Sequence, residues 1–156
     1  FAVVVQDEGR ELPLTPETQF SLRGRYEWET ANGDAYAQLG RHKEAEEAFL
    51  QAITLTETLM PVAAGAFRGS LALLMAERGD IKGASDLLKI GEPQIKDHPG
   101  EYAKFLCKKG RVHHLENDHN GALKVLRKAA AIAESIHCTP TSEVQLAVKG
   151  LSELLE

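Results

Sequence analysis

Apolar residues recur at spacings of three and four along most of this chain, the periodicity of a helix face turned toward a core. The first stripe, Phe20, Gly24, Trp28, Ala31, Ala35 and Leu39, predicts a long helix beginning at Thr15. Thr15 suits an N-cap and Pro16 the first helical position, where a missing N–H leaves no bond unmade. A second helix is expected over residues 43–59, with Ala45, Ala48, Phe49, Ala52, Ile53 and Leu55 facing inward. Pro61 opens a third that reaches about Arg78, and Ile81 opens a fourth. Gly91 and Pro93 trouble that fourth helix. Proline lacks the N–H and crowds the carbonyl four residues back, at Lys89, so an end or kink is expected between Lys89 and Pro93. Pro99 starts a fifth helix to about Glu116, residues 119–137 make a sixth, and Pro140 and Thr141 introduce a last one ending at Glu156. Residues 1–5 are a short apolar, β-branched run before a turn-like Asp7-Glu8-Gly9, readable as a stray strand or the frayed end of a preceding segment. Strand signals are otherwise missing, and the expected fold class is all-α.

Aligning the breaks between helices exposes a period. Gly40, Gly79 and Asn117 each separate two helices, 39 and 38 residues apart. Five residues after each comes alanine (Ala45, Ala84, Ala122), and four beyond that a large apolar residue (Phe49, Leu88, Leu126). A small residue follows three later (Ala52, Gly91, Ala129), and another stands seven before each break (Gly33, Ala72, Gly110). Each column has a physical reason. The break residue must leave its helix in a left-handed conformation, free for glycine and tolerated by asparagine. The small residues let helices approach, and the large one fills the layer between them. A single hairpin cannot bury its own apolar face, so stacked copies share a core.

On these residues the chain resembles the tetratricopeptide repeat family. The copies carry Gly33-x-x-Tyr36 with Ala45-x-x-x-Phe49, Leu71-Ala72-x-x-Met75 with Ala84-x-x-x-Leu88, and Gly110-x-x-His113 with Ala122-x-x-x-Leu126. The likeness covers about residues 26–136. It implies a right-handed α-solenoid of antiparallel hairpins over residues 15–59, 61–97 and 99–137, with a terminal helix at 141–156 and residues 1–14 as an N-terminal extension or the remnant of a preceding segment. The family period is about 34 residues, and here it is four or five longer. Longer repeats are similar to those in the helical regions of maltose-regulator-type bacterial activators. Glu29, Asn32, Arg68 and Lys109 stand where the family places large apolar residues, so the first helix of each hairpin is expected to be rotated or extended relative to the standard repeat.

Composition narrows the functional classes. At 156 residues, 43% hydrophobic and 26% charged, the chain is one ordinary globular domain, with no apolar run near the roughly 18 residues of a membrane span. A net charge of −5 argues against nucleic acid as the main ligand. The charge is uneven: 10 basic against 16 acidic side chains in residues 1–97, and 8 against 7 in residues 98–156. Cys107 and Cys138 are too few for a disulfide framework and lack C-x-x-C spacing. Two reduced thiols and no visible leader give a cytoplasmic expectation.

No H-E-x-x-H, phosphate-binding glycine loop or G-x-S-x-G occurs, and nothing assembles a nucleophile, a base and an orienting group. No catalysis and no cofactor are expected. His113, His114 and His119 lie close to Glu116 and Asp118, but Asn117 is the expected break and His113 falls in a packing column. Packing and surface histidines, and no metal, are therefore the expectation. Lys104, Lys108 and Arg111, at i, i+4 and i+7, occupy one side of a single helix. In the family the first helix of each hairpin lines the concave surface, and members that clamp the carboxylate tails of heat-shock chaperones place basic and amide side chains there. Lys104 and Lys108 match the third-repeat part of that clamp, whereas Thr30 and Asp34 stand where a basic residue and an amide belong. The chaperone clamp is therefore incomplete, and a simpler acidic ligand stays open beside the plain alternative of a solvated basic face.

The function expected is a protein- or peptide-binding scaffold, with Lys104, Lys108, Arg111, Leu73 and Cys107 on the concave face and both lysines facing solvent. Its partner is a protein or peptide with an acidic segment, and self-association through the C-terminal helix is open; neither nucleic acid nor membrane is expected as a direct partner. The alternatives are a sensor or linker segment of a larger regulator, such as a transcription regulator or ATPase-linked protein, and a hydrolase with an unrecognised site.

Overall fold

The computed structural model of the protein describes residues 4–7, 10–13 and 40–156. The helix expected over residues 15–39, with Trp28 and Gly33, lies outside the described residues. Near the start, β1 (Val4–Asp7) and β2 (Arg10–Pro13) pair antiparallel, Val4 opposite Pro13 and Asp7 opposite Arg10. The second strand is an addition to the sequence-based expectation. Arg10-Glu11-Leu12-Pro13 has no alternating or β-branched pattern to announce it.

From residue 40 onward the described structure is helical: α1 (His42–Thr56), α2 (Pro61–Glu77), α3 (Ile81–Ile95), α4 (Pro99–Leu115), α5 (His119–Ser135) and α6 (Glu143–Leu154). The starts follow local chemistry. Pro61 and Pro99 open α2 and α4. Asp80 caps α3 by accepting the Gly83 N–H at 2.9 Å, and Asp118 caps α5 by accepting that of Gly121 at 2.9 Å. Ser142 caps α6 through the Gln145 N–H, so this helix begins after Pro140 and Thr141 rather than at them. The breaks are left-handed: φ is +73° at Gly40, +91° at Gly79 and +63° at Asn117. At the last two, the following residue's N–H reaches back to the helix, Asp80 to Met75 and Asp118 to His113, closing the end of each helix on itself.

α2 packs on α3 and α4 on α5 as hairpins, while the first helices stack on one another in the order α2, α4, α6. This is an all-α solenoid. Ala45, Ala84 and Ala122 are fully buried, as are Ala52, Ala72 and Ala129. Phe49 and Leu88 fill the layers between helices, and Leu126 packs half-buried on the same core. The backbones of α2 and α3 approach closely, and a Cβ on Gly65 would stand 2.9 Å from the Gly91 carbonyl oxygen.

That contact bears on Pro93. Of the end or kink expected there, the end does not occur, and α3 continues as helix to Ile95. An interior proline costs about 3 kcal/mol. Against this, Ile95 is completely buried and Gln94 accepts a 2.7 Å hydrogen bond from Arg68. Burying an isoleucine is worth about 1.5–3 kcal/mol and a charged hydrogen bond a further 1.5–3. Packing of the last turn thus outweighs the lost bond. Arg68, unusual at a core position, is itself buried and donates to Glu57 as well as Gln94, tying the ends of α1 and α3 to the middle of α2.

Candidate functional site

The row Lys104, Lys108 and Arg111 comes from α4, whose remaining surface must be largely apolar to sit among neighbouring helices. Tyr102, Phe105, Leu106 and Val112 provide much of that surface and are buried. The row therefore emerges where α2 and α6 flank α4. There it borders a cleft of about 270 Å³ lined also by Leu73 and Ala66 from α2, Phe105 and Cys107 from α4, and Ala147 from α6. The lining is an apolar floor with cations along one wall.

The cations are less free than the helical spacing suggests. Lys104 is half-buried rather than solvent-facing, with its Nζ 2.9 Å from Glu101 and 3.2 Å from Glu143 of α6. Burial alone would depress its pKa, but the two carboxylates outweigh it and hold the ammonium above the usual lysine value. Lys108 is also half-buried and donates to the Ser70 hydroxyl of α2 at 2.6 Å. Both stems lie along the cleft because α2 and α6 crowd them, which leaves only the head groups for a ligand. Arg111 runs against α6, where a Cβ on Gly150 would come 3.0 Å from its Nη2. Cys107 is buried in the floor, and that burial, opposed by the nearby Arg111 and Lys108, pushes its thiol up to about 11. It acts here as a small apolar residue.

Sequence spacing missed the acidic partners of the row. Glu143 lies on a different helix, 39 residues from Lys104, and no local pattern joins them. It also missed a polar network between α3, α4 and α5. Glu92 accepts from Lys109 at 2.7 Å and from the Tyr102 hydroxyl at 2.8 Å, and Lys128 donates to that hydroxyl while lying 5.0 Å from the ring centre. Burial alone would raise Glu92, but the bonds from Lys109 and Tyr102 outweigh it and hold the carboxyl below the ordinary range. Lys109, out of place in an apolar column, is thus the partner of a carboxylate on the preceding helix, α3. Beyond it, at the end of α4, His113, Glu116 and Asp118 bring ligand-capable atoms within 4.8 Å of one another. The break at Asn117, which argued against this grouping, is what creates it by folding Asp118 back onto His113.

The sequence model of the tetratricopeptide repeat family matches residues 33–58 and 103–136. The second stretch runs from the first turns of α4 to just past the end of α5. The chain carries tetratricopeptide repeats. The hairpin of α2 and α3, between the matched stretches, has the same left-handed break and buried alanine, so it is built as another copy. A comparison with curated proteins finds no match. Tetratricopeptide repeats commonly mediate protein–protein interaction; the cleft lies between α2, α4 and α6, of which α4 falls within a matched stretch. Among the described residues, no helix is long and apolar enough to cross a membrane.

Proposed function

We propose that the protein is a binding scaffold whose cleft between α2, α4 and α6 holds an acidic segment of a partner protein. The observation that carries this reading is the lining itself: three cations beside an apolar floor, on a chain whose net charge is otherwise negative. The ligand's carboxylates replace Glu101 and Glu143 at Lys104 and reach Lys108 and Arg111, while one or two apolar side chains settle on Leu73 and Phe105. The exchange is cheap. Glu143 is 85% exposed, and an ion pair of that kind is worth about 0–1 kcal/mol. A cleft of about 270 Å³ accepts a few side chains rather than a domain, which favours a short segment. Charge then steers encounter and fixes register, and apolar contact supplies much of the affinity.

The test takes a partner isolated by affinity capture and measures its association rate against wild type, K104E/K108E and E143Q over a salt series. Wild-type association should slow as salt rises, since exposed charges are screened beyond about 10 Å at 0.1 M. The double reversal should associate slowly and should not slow further as salt rises, and E143Q, lacking the internal competitor, should bind more tightly. Equal rates for wild type and K104E/K108E at every salt concentration would reduce the row to a solvated face.

A further inference from the structure

A second constellation, at the far end of α4, bears on a different class of ligand. His113 closes the last turn of α4, Glu116 follows the helix, and Asp118 begins α5. The Nδ1 of His113 is buried and makes no hydrogen bond among the described residues, yet it lies 3.0 Å from Asp118 Oδ2 and 3.6 Å from Glu116 Oε2. The shorter contact has hydrogen-bond length without hydrogen-bond direction. What converges is a set of three electron-pair donors, two of them carboxylate oxygens.

Comparison of the two complete hairpins separates architecture from what is particular to this place. Asp80 and Gly83 occupy the positions of Asp118 and Gly121, and both aspartates cap a helix through the glycine's N–H. The capping aspartate is therefore part of the repeat. Where the third hairpin has His113 and Glu116, however, the second has Met75 and Arg78, which offer no comparable anionic or imidazole donor. Capping occupies only Oδ1 of Asp118 and fixes its carboxylate, leaving Oδ2 aimed at His113. Gly121 keeps the approach open, since a Cβ there would stand 2.8 Å from His113 Nδ1.

We propose that His113, Glu116 and Asp118 form a zinc site. One imidazole and two carboxylates suit Zn²⁺ and bring a charge that offsets it. Bonds of about 2.0–2.2 Å at tetrahedral angles place donor atoms roughly 3.3–3.5 Å apart. The separations of 3.0 and 3.6 Å bracket that spacing, so small side-chain rotations suffice. The backbone N–H holding Asp118 is the kind of outer partner that orients a metal ligand. Solvent-facing Glu116 and Asp118 leave a fourth position to water. The bound ion joins the end of α4 to the start of α5 and stiffens the turn at Asn117.

The test titrates the metal-free protein with Co²⁺, read by visible absorption and reversed by Zn²⁺, with a thermal melt of each form. Wild type should show saturable one-to-one binding with tetrahedral-type bands and a higher Tm with zinc. E116Q/D118N should weaken binding by more than the roughly 10–100-fold that loss of an outer partner costs. Asparagine caps as well as aspartate, so this variant keeps the start of α5. H114Q/H119Q, at two exposed histidines outside the cluster, should bind as wild type does and excludes chance surface chelation. Absence of saturable one-to-one binding, binding retained by E116Q/D118N, or binding lost in H114Q/H119Q would each overturn the assignment.

Discussion

Gly65 offers a test in which two known effects oppose each other. Replacing a helical glycine with alanine ordinarily stabilises a protein by about 0.4–1 kcal/mol, because the unfolded chain loses freedom. At Gly65 the added Cβ would meet the Gly91 carbonyl oxygen at 2.9 Å, with the Cβ atoms of Gln94 and Ile95 at 3.1 and 3.2 Å. None of these is the mobile end of a side chain. Relief requires α2 and α3 to separate, and overpacking of that kind costs about 1–3 kcal/mol. The clash should win, leaving G65A less stable by about 1–2 kcal/mol, or roughly 2–8 °C in Tm for a chain of this size. Gly100 supplies the opposite case. A Cβ there meets only Ile136 and Val144, at 3.8 and 4.0 Å, which is ordinary contact. G100A should therefore gain about 0.4–1 kcal/mol, a rise of roughly 1–4 °C. Calorimetry or chemical denaturation of both variants decides the matter. If G65A is as stable as wild type, the close approach of α2 and α3 is not as described.

Ala84 and Ala122 are fully buried in equivalent columns, so leucine at either should cost about 1–3 kcal/mol by overpacking, and unchanged melting of both variants would refute the shared register. Burial of Cys107 and its thiol at about 11 mean that a disulfide reagent near neutral pH should label the more accessible Cys138 first, with Cys107 following only on unfolding; equal rates would contradict the buried floor. Because burial makes the folded thiol hold its proton above the ordinary value of 9.0, its contribution to stability is complete below pH 9 and is lost as pH rises toward 11. The C107S variant should lose that part of the alkaline destabilisation.

The columns of the repeat were legible because small residues and left-handed breaks are set by backbone geometry, which recurs with each copy. Gly40, Gly79 and Asn117 could be read as breaks from composition and spacing alone, and their φ values follow. The continuation of α3 through Pro93 was not legible. Local chemistry argues for an end, and the opposing terms come from Ile95 burial and Arg68, 26 residues from its partner Gln94. At the cleft, the helical spacing of Lys104, Lys108 and Arg111 was visible, but the crowding by Ser70 and Glu143 depends on which helices flank α4. The cluster at His113 was hidden for a further reason. Linear spacing treats a turn as the end of a helix face, whereas a left-handed residue can fold the chain back over that same face.

The position of α4 has a consequence for the time behaviour of the molecule. It packs against α2, α3, α5 and α6. In a linear array each unit is held by its neighbours, so opening spreads inward from whichever side is least supported. Amide hydrogens of α4 should therefore outlast those of α6 in exchange, so that the cation row rides on the slower-opening helix of the two. Glu143 sits on α6, the faster one. The competing carboxylate can thus leave Lys104 through local fluctuation of α6 while the row keeps its spacing, which makes exposure of the cations a fast event on a slow scaffold.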